Sequence, residues 1–213
     1  MNKPLIPFQA GSPMIVAGPT GSGKTRWVNR LLSNDMFTKP VKSVLYCYGV
    51  YQDYYNNMNR DTIEFYEGVP NLDKINELND GNFHVIVLDD LMEFIVKSID
   101  TQNLFTKYCH HYNITAIFIS QNIFAQGPCA RNISINTHIL ILFANKRDQL
   151  QAYTLGKQLC PGNVNVFIEA YEDATYKPYG YLVVDCDPKS PREFKLRTNI
   201  FPTENTVCYL KKE

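Results

Sequence analysis

The chain has 213 residues, of which 45% are hydrophobic and 20% are charged, a composition that excludes a disordered protein and fits one globular domain or one domain with a small appendage. Its 21 basic residues equal its 21 acidic residues, which argues against a constitutive nucleic-acid coat but not against a local basic loop that touches DNA. We expect no signal peptide and no membrane partner, because no apolar run approaches the ~20 residues of a membrane span.

The N-terminal part contains a phosphate-binding motif. A predicted buried strand, Met14–Ala17, leads into Gly18–Thr25, which reads G-x-x-x-x-G-K-T, and a predicted helix follows from Lys24 to about Ser33. In such a loop the glycines let backbone N–H groups surround a phosphate, and the helix N-terminus adds its dipole. Lys24 can reach the β- and γ-phosphates, and the Thr25 hydroxyl can bind Mg²⁺. The predicted nucleotide-binding residues are Gly18, Pro19, Thr20, Gly21, Ser22, Gly23, Lys24, Thr25 and Arg26.

The rest of the chain alternates between predicted strands and predicted helices. This alternation predicts a doubly wound α/β fold in one domain, with ligands bound at the carboxyl ends of the parallel strands. The elements predicted besides the motif are an extended lead-in at 1–13; strands at 41–48, 63–66, 84–88, 114–119 and 138–143; a loop or short helix at 49–60; helices at 72–78, 147–159 and 164–175; an interrupted helix at 91–112; a long loop at 123–136; and a hairpin or edge strands at 179–184 and 194–200, within a C-terminal region of strands and tail at 179–213.

Polar residues end two of the predicted buried strands. Asp89 and Asp90 follow an apolar run, so Asp89 is predicted to hold Mg²⁺ and Asp90 to orient the attacking water, with a solvated acidic turn as the alternative. Asp90 stands where many ATPases with a loop of this kind carry Glu, and its side chain, shorter by one methylene group, reaches less far toward the water. Gln121 ends the next strand and is predicted to sense the γ-phosphate or to hold the water. With Lys24, these residues are expected to converge on one site.

Two arginines follow the Gln121 strand and are candidates for contact with the γ-phosphate. Arg131 lies in a predicted Gly-Pro-bearing loop that could reach across a subunit interface, whereas Arg147 begins a predicted helix and suits an ordinary surface ion pair. A neighbouring subunit often supplies this guanidinium in phosphoryl transfer, so Arg131 is the predicted trans-acting residue.

Two further clusters have a structural alternative. The tyrosines between Tyr46 and Tyr55 could stack on bases, but a β-rich core followed by an amphipathic surface is the preferred interpretation. The basic residues Lys189, Arg192, Lys195 and Arg197 either touch a DNA backbone or form the solvated face of an edge strand.

Taken together, the motifs resemble those of a known superfamily over residues 13–201. With these segments in this order, the chain resembles the FtsK/HerA superfamily of DNA-pumping ATPases, and especially the compact genome-packaging ATPases of double-jelly-roll DNA viruses of the polinton (Maverick) and adintovirus type. One departure is A-N-K-R-D at 144–148, where K-N-P-R-D is expected. The matching segments are Gly18–Thr25, Tyr46–Gly49, Val87–Met92, Leu104–Lys107, His110–His111, Ser120–Phe124, Arg131–Asn136, Lys146–Asp148, Asp173–Thr175, Tyr179–Leu182 and Leu196–Asn199.

The resemblance implies a RecA-like P-loop NTPase of the ASCE type, with a central, mostly parallel sheet flanked by helices and with C-terminal edge strands. It implies ATP and Mg²⁺ as ligands and a homo-oligomeric ring, hexameric or pentameric, that moves double-stranded DNA without sequence specificity into a preformed capsid. Capsid vertex proteins are then partners. The implied location is the site of virion assembly, in the host nucleus or cytoplasm, and the resemblance is also compatible with a protein that associates with the virion. The roles of Thr25 and Asp89, Asp90, Gln121 and Arg131 carry over to these positions.

Two other functions share the phosphate-binding loop. A nucleotide or nucleoside kinase, or another P-loop NTPase not coupled to DNA, is the main alternative, but a kinase needs an arginine-rich lid and no such cluster follows Gln121. A nucleotide-dependent structural switch without useful turnover is the third hypothesis, left open by Asp90 in place of Glu.

Overall fold

The computed structural model describes residues 6–58 and 61–210. In these stretches the strands are β1 (Met14–Ala17), β2 (Ser43–Tyr48), β3 (Ile63–Glu67), β4 (His84–Asp89), β5 (Ile114–Ser120), β6 (Ile139–Phe143), β7 (Tyr181–Asp185), β8 (Leu196–Thr198) and β9 (Val207–Cys208). The α-helices are α1 (Lys24–Ser33), α2 (Leu72–Asn76), α3 (Met92–Ile95), α4 (Ile99–Asn103), α5 (Cys109–His111), α6 (Ala130–Ile135), α7 (Gln149–Leu159) and α8 (Val164–Ala174). A 3₁₀-helix at Asp53–Asn57 and a π-helix at Leu104–Tyr108 supplement them.

The strands of the described residues form one nine-stranded sheet in the order β3-β2-β4-β5-β1-β6-β7-β8-β9. The first six strands in this order, β3, β2, β4, β5, β1 and β6, are parallel. Strands β7, β8 and β9 continue the sheet in antiparallel pairing. Strand β5 lies between β1, which leads into the phosphate-binding motif, and β4, which ends in Asp89. The carboxyl ends of β1, β4 and β5 therefore meet at one edge of the sheet.

Helices cover both faces of the sheet, and this explains why the central strands are continuous apolar runs. In β1, Ile15 and Ala17 pack into one buried cluster, while Met14 and Val16 pack with α1 into the other. All six residues of β4 are buried. None of the helices in the described stretches combines the length and apolar character needed to cross a membrane.

Most predicted elements are confirmed, including β1, the helix from Lys24 to Ser33 and the small strand β3. The predicted break in the helix at 91–112 is also present, since α3 ends at Ile95 and α4 begins at Ile99. Residues 1–5 of the predicted lead-in, 59–60 of the predicted loop and 211–213 of the tail lie outside the described residues.

The prediction of a loop over 123–136 is wrong, because α6 occupies 130–135. The helix is stabilised by its surroundings. The Cys129 N–H donates to the Val96 carbonyl over 2.9 Å, and Ala130 and Ile133 are buried. Arg131 therefore lies in the first turn of a helix rather than in a loop. Of the two alternatives predicted for the C-terminal region, the hairpin is confirmed for β7 and β8, which pair antiparallel, and β7 is internal to the sheet because it also pairs with β6.

Candidate nucleotide-binding site

The loop between β1 and α1 has the backbone shape of a phosphate cradle. Gly21 and Gly23 have φ angles of 78° and 100°, in the left-handed region that favours glycine. At Gly18 the constraint is space, because a Cβ there would lie 2.7 Å from the Phe143 Cβ. Ser22 Oγ is buried without a hydrogen-bond partner among the described residues, and a phosphate oxygen would satisfy it.

Lys24 folds back over this loop from the first turn of α1. Its Nζ donates to the carbonyl of Gly18 over 2.7 Å and to that of Pro19 over 3.0 Å. Burial lowers the pKa of Lys24, while the nearby charges of Asp89 and Asp90 act in the opposite direction. The loop thus holds a partly buried cation beside its backbone N–H groups, an arrangement suited to an anionic phosphate chain.

Asp89 ends β4 and meets α1 through Thr25. Its Oδ2 accepts hydrogen bonds from Thr25 Oγ1 over 3.2 Å, Tyr46 OH over 2.8 Å and Tyr55 OH over 3.1 Å. Burial raises the pKa of Asp89, and these three hydrogen bonds oppose the rise. A hydroxyl and a carboxylate within hydrogen-bond distance form the hard oxygen donor set that Mg²⁺ prefers, so the residues present fit this cation.

Asp90 differs from Asp89 in both exposure and backbone. Its side chain is exposed, and its φ angle is 56°, in the left-handed region. Asp and Asn tolerate this conformation better than longer residues do, which gives a physical reason for Asp rather than Glu here. Gly49 packs against the same turn, since a Cβ on Gly49 would lie 2.3 Å from the Asp90 carbonyl oxygen.

Gln121 follows directly after β5 and lies beside the phosphate-binding loop. It borders a cleft of about 580 Å³ together with Pro19, Thr20 and Arg147. The Gly18 N–H donates to the Ser120 carbonyl over 3.2 Å, which ties the loop to the end of β5. The structure therefore brings Gln121 to the loop, as the order of the strands predicts.

Of the two candidate arginines, Arg147 borders the loop and Arg131 does not. Arg147 contributes to the Gln121 cleft and to a second cleft of about 490 Å³, which the exposed rings of Tyr176 and Tyr179 also border. Helix α7 begins at Gln149, so Arg147 precedes the helix that it was predicted to begin. Within the described stretches, Arg131 borders none of the clefts at the loop. An action of Arg131 on its own chain's loop is thus not supported.

A third cleft on the other side of the loop joins predicted nucleotide-binding residues to Tyr54, which the sequence analysis assigned to packing, and to Gln52, which it did not single out. It measures about 340 Å³, and Arg26, Gln52 and Tyr54 border it together with Lys24 and Thr25. The Arg26 guanidinium lies 5.9 Å from the centre of the Tyr54 ring. The sequence does place this tyrosine stretch after β2, but it gives no sign that β2 lies beside β4.

The basic cluster near the C-terminus is not one solvated face, and contact with DNA stays a prediction for its exposed members only. Arg197 is fully buried and donates to Asp185 over 2.9 Å. Lys195 Nζ donates to the Leu159 carbonyl over 2.6 Å. Lys189 and Arg192 are the exposed members. Arg197 therefore cannot contact DNA, because its guanidinium is used within the fold.

The sequence matches no protein-family model, and a comparison with curated proteins gives no match. The fold is similar to structures of the genome packaging NTPase B204 from Sulfolobus turreted icosahedral virus 2. The complex with ATP-gammaS has 11% identity and a TM-score of 0.59, covering 96% of this chain and 99% of that one. The complex with AMP has 13% identity and a TM-score of 0.53, covering 84% and 94%. B204 from Sulfolobus turreted icosahedral virus, described as a DNA-packaging ATPase, has 11% identity and a TM-score of 0.58, covering 95% and 98%.

These similarities, together with the strand order, define the class of the fold. It is the RecA-like α/β fold of P-loop NTPases, with a mostly parallel sheet flanked by helices. The predicted fold class is therefore confirmed. In this fold the loop of Gly18–Thr25 lies with Asp89 and Gln121 at the carboxyl edge of the sheet, where ligands of open α/β sheets bind.

Proposed function

We propose that this protein is an ATPase that moves double-stranded DNA into a preformed viral or virus-like capsid, and that residues 1–213 form one ATPase domain. The observation that carries the ATPase part is the convergence of Lys24, Thr25, Asp89 and Gln121 at the loop. The packaging part is supported by the shared fold with B204, a packaging NTPase solved with ATP-gammaS and AMPPCP, and by the motif resemblance to packaging ATPases of the polinton and adintovirus type.

In this proposal the loop binds the triphosphate of ATP. The backbone N–H groups of the loop and Ser22 Oγ contact phosphate oxygens, and Lys24 exchanges its carbonyl partners for the β- and γ-phosphates. Thr25 and Asp89 would hold Mg²⁺, which supplies charge neutralisation at the phosphates when bound. The nucleoside lies in the cleft beside Arg147, where the rings of Tyr176 and Tyr179 offer stacking surfaces.

Hydrolysis is an in-line attack of water on the γ-phosphate. Asp90 orients and polarises the water, and Gln121 senses the γ-phosphate across the cleft that it shares with the loop. Arg147 acts on the nucleotide of its own chain. Arg131, exposed on α6, acts on the nucleotide of the next subunit in a hexameric or pentameric ring.

The ring would take DNA through its centre and dock on capsid vertex proteins, at the site of virion assembly in the host nucleus or cytoplasm or associated with the virion. Contacts with DNA phosphates are sufficient for this work and carry no sequence information. The balanced charge of the chain, with 21 basic and 21 acidic residues, favours few contacts per subunit over a continuous basic surface.

The test is phosphate release from ATP with and without double-stranded DNA, using Lys24→Ala as the inactive control. We expect release that depends on Mg²⁺, rises with DNA and falls by at least about 100-fold in Lys24→Ala. Transfer of phosphate to an added nucleotide or nucleoside, without stimulation by DNA, would instead identify a kinase. Binding of ATP without phosphate release under any condition would identify a nucleotide-dependent switch.

A further inference from the structure

We propose that Tyr46 and Tyr55 are positioning residues for the metal-binding carboxylate, and that their hydroxyls fix Asp89 so that Oδ1 faces the cation. This inference rests on the proposed function, because it concerns how the site holds Mg²⁺. The two tyrosines come from different segments, β2 and the 3₁₀-helix at Asp53–Asn57. Both are fully buried, and both hydroxyls end on the same oxygen of Asp89.

The hydrogen bonds distinguish the two oxygens of the carboxylate. Oδ2 accepts from Tyr46, Tyr55 and Thr25, whereas Oδ1 has no hydrogen-bond partner among the described residues. A carboxylate oxygen offers about two lone-pair directions, so three donors exceed its capacity. The Thr25 bond is the longest of the three at 3.2 Å. It is therefore the one given up when Thr25 turns to a cation, and the two tyrosines then saturate Oδ2.

Packing fixes the tyrosine hydroxyls in place. The Tyr46 and Tyr55 rings lie 5.0 Å apart, and Phe65 stacks on Tyr55 with ring centres 5.5 Å apart and an interplanar angle of 26°. Strand β2 pairs directly with β4, with Tyr48 opposite Asp89, so Tyr46 is anchored one pleat from the carboxylate. Buried rings in such a cluster have little rotational freedom, which keeps the donor positions constant.

The Tyr55 segment is also tied to α1. The neighbouring Tyr54 hydroxyl accepts a hydrogen bond from Asn29 Nδ2 over 3.1 Å, and Gln52 and Tyr54 border the cleft beside Lys24. The segment is therefore held at the helix that carries Thr25 and at the strand that carries Asp89. Hydrogen-bond partners that orient a metal ligand typically change metal affinity by about 10–100-fold when removed.

The experiment compares Tyr46→Phe and Tyr55→Phe with Tyr48→Phe as the matched control. Tyr48 belongs to the same ring cluster, 5.8 Å from Tyr55, and pairs with Asp89 only through the backbone, since its hydroxyl is not among the described donors to the Asp89 carboxylate. The probes are Mn²⁺, whose binding in the presence of ATP-gammaS is followed by electron paramagnetic resonance, and ATP-gammaS alone in EDTA. Thermal unfolding of each variant without ligand shows whether it is folded, and if one tyrosine variant unfolds the other carries the test.

We expect Tyr46→Phe and Tyr55→Phe each to weaken Mn²⁺ binding by about tenfold or more. Tyr48→Phe should bind Mn²⁺ as the wild type does, and ATP-gammaS affinity in EDTA should be unchanged in all three variants. Mn²⁺ affinities within twofold of the control would overturn the inference alone. An equal loss of ATP-gammaS affinity in EDTA would also overturn it, since the tyrosines would then support the loop rather than the carboxylate. A wild-type protein that binds neither probe would overturn the proposed function as well.

Discussion

The Thr25 hydroxyl donates a hydrogen bond to the Asp89 carboxylate over 3.2 Å, although the two residues are 64 positions apart in the chain. The contact joins the first turn of α1, the helix after β1, to the carboxyl end of β4. In the sheet, β5 lies between β1 and β4. Gln121 at the end of β5 is consequently placed beside the loop. The strand order thus brings together the loop of Gly18–Thr25, the residues proposed to hold Mg²⁺ and the residue proposed to sense the γ-phosphate.

We predict that Asp89→Asn abolishes ATP hydrolysis but stabilises the ligand-free fold. Because burial raises the pKa of Asp89, the folded protein binds the carboxyl proton of Asp89 more tightly than the unfolded chain does. The ionised carboxylate therefore lowers the free energy of unfolding above the folded-state pKa, and this effect disappears below the unfolded pKa of about 3.9.

Thermal unfolding without metal, from pH 4 to pH 8, measures this effect. The midpoint of Asp89→Asn should exceed that of the wild type at pH 8, and the difference should shrink as the pH falls. Phosphate release by the variant should be lower by at least about 100-fold. A variant less stable than the wild type at every pH would show that the burial of this carboxylate is fully compensated.

For Asp90 we predict that Asp90→Asn binds ATP and loses phosphate release by about 100-fold or more. Asn keeps the left-handed backbone at φ 56°, so binding and folding should be retained. Asp35→Asn is the matched control, since Asp35 is also exposed and also left-handed, with φ 49°. Unchanged turnover in Asp90→Asn would assign the water to another residue.

The two arginines are distinguished by mixing variant subunits. We predict that Arg131→Ala and Arg147→Ala are each inactive, but that only Arg131→Ala regains activity when mixed with Lys24→Ala protein. In the mixed ring, an intact loop from the Arg131→Ala subunit meets an intact Arg131 from the Lys24→Ala subunit, whereas Arg147 borders its own loop and cannot be supplied by a neighbour. Phosphate release by the mixtures is the measurement. Rescue of Arg147→Ala, or no rescue of Arg131→Ala in rings shown to be mixed, would contradict the assignment.

Arg197 is predicted to be structural. Replacing it by Met leaves the buried Asp185 carboxylate without its cation, so the free energy of unfolding should fall by about 3–5 kcal/mol in urea titration. Arg192→Ala, an exposed change in the same segment, should have little effect on stability. A loss of less than about 1 kcal/mol in Arg197→Met would show that the ion pair contributes little.

Local patterns in the sequence were sufficient for the elements that depend on local physics. The loop at Gly18–Thr25 requires glycine where φ is positive, and the buried parallel strands require unbroken apolar runs, so both are visible in the sequence. Asp89 and Gln121 could be placed because parallel strands end at a common edge.

Features that depend on which strands are neighbours could not be predicted in this way. The contacts of Tyr46 with Asp89 follow from the pairing of β2 with β4, and Arg197 meets Asp185 because β8 pairs with β7. A charged residue in a C-terminal strand favours a surface position until its buried partner is known. Helix α6 has only six residues and follows Gly127 and Pro128, so its pattern resembles a loop.

ATP hydrolysis is proposed to drive movement along double-stranded DNA, and displacement of a triplex-forming third strand reports such movement. The third strand is bound at a distance from the loading end of a linear duplex, and its release is followed by fluorescence. We predict release that requires ATP and Mg²⁺, is absent with ATP-gammaS, and is lost in Lys24→Ala and Asp89→Asn. Sustained ATP hydrolysis in the presence of duplex DNA without displacement of the third strand would contradict the claim.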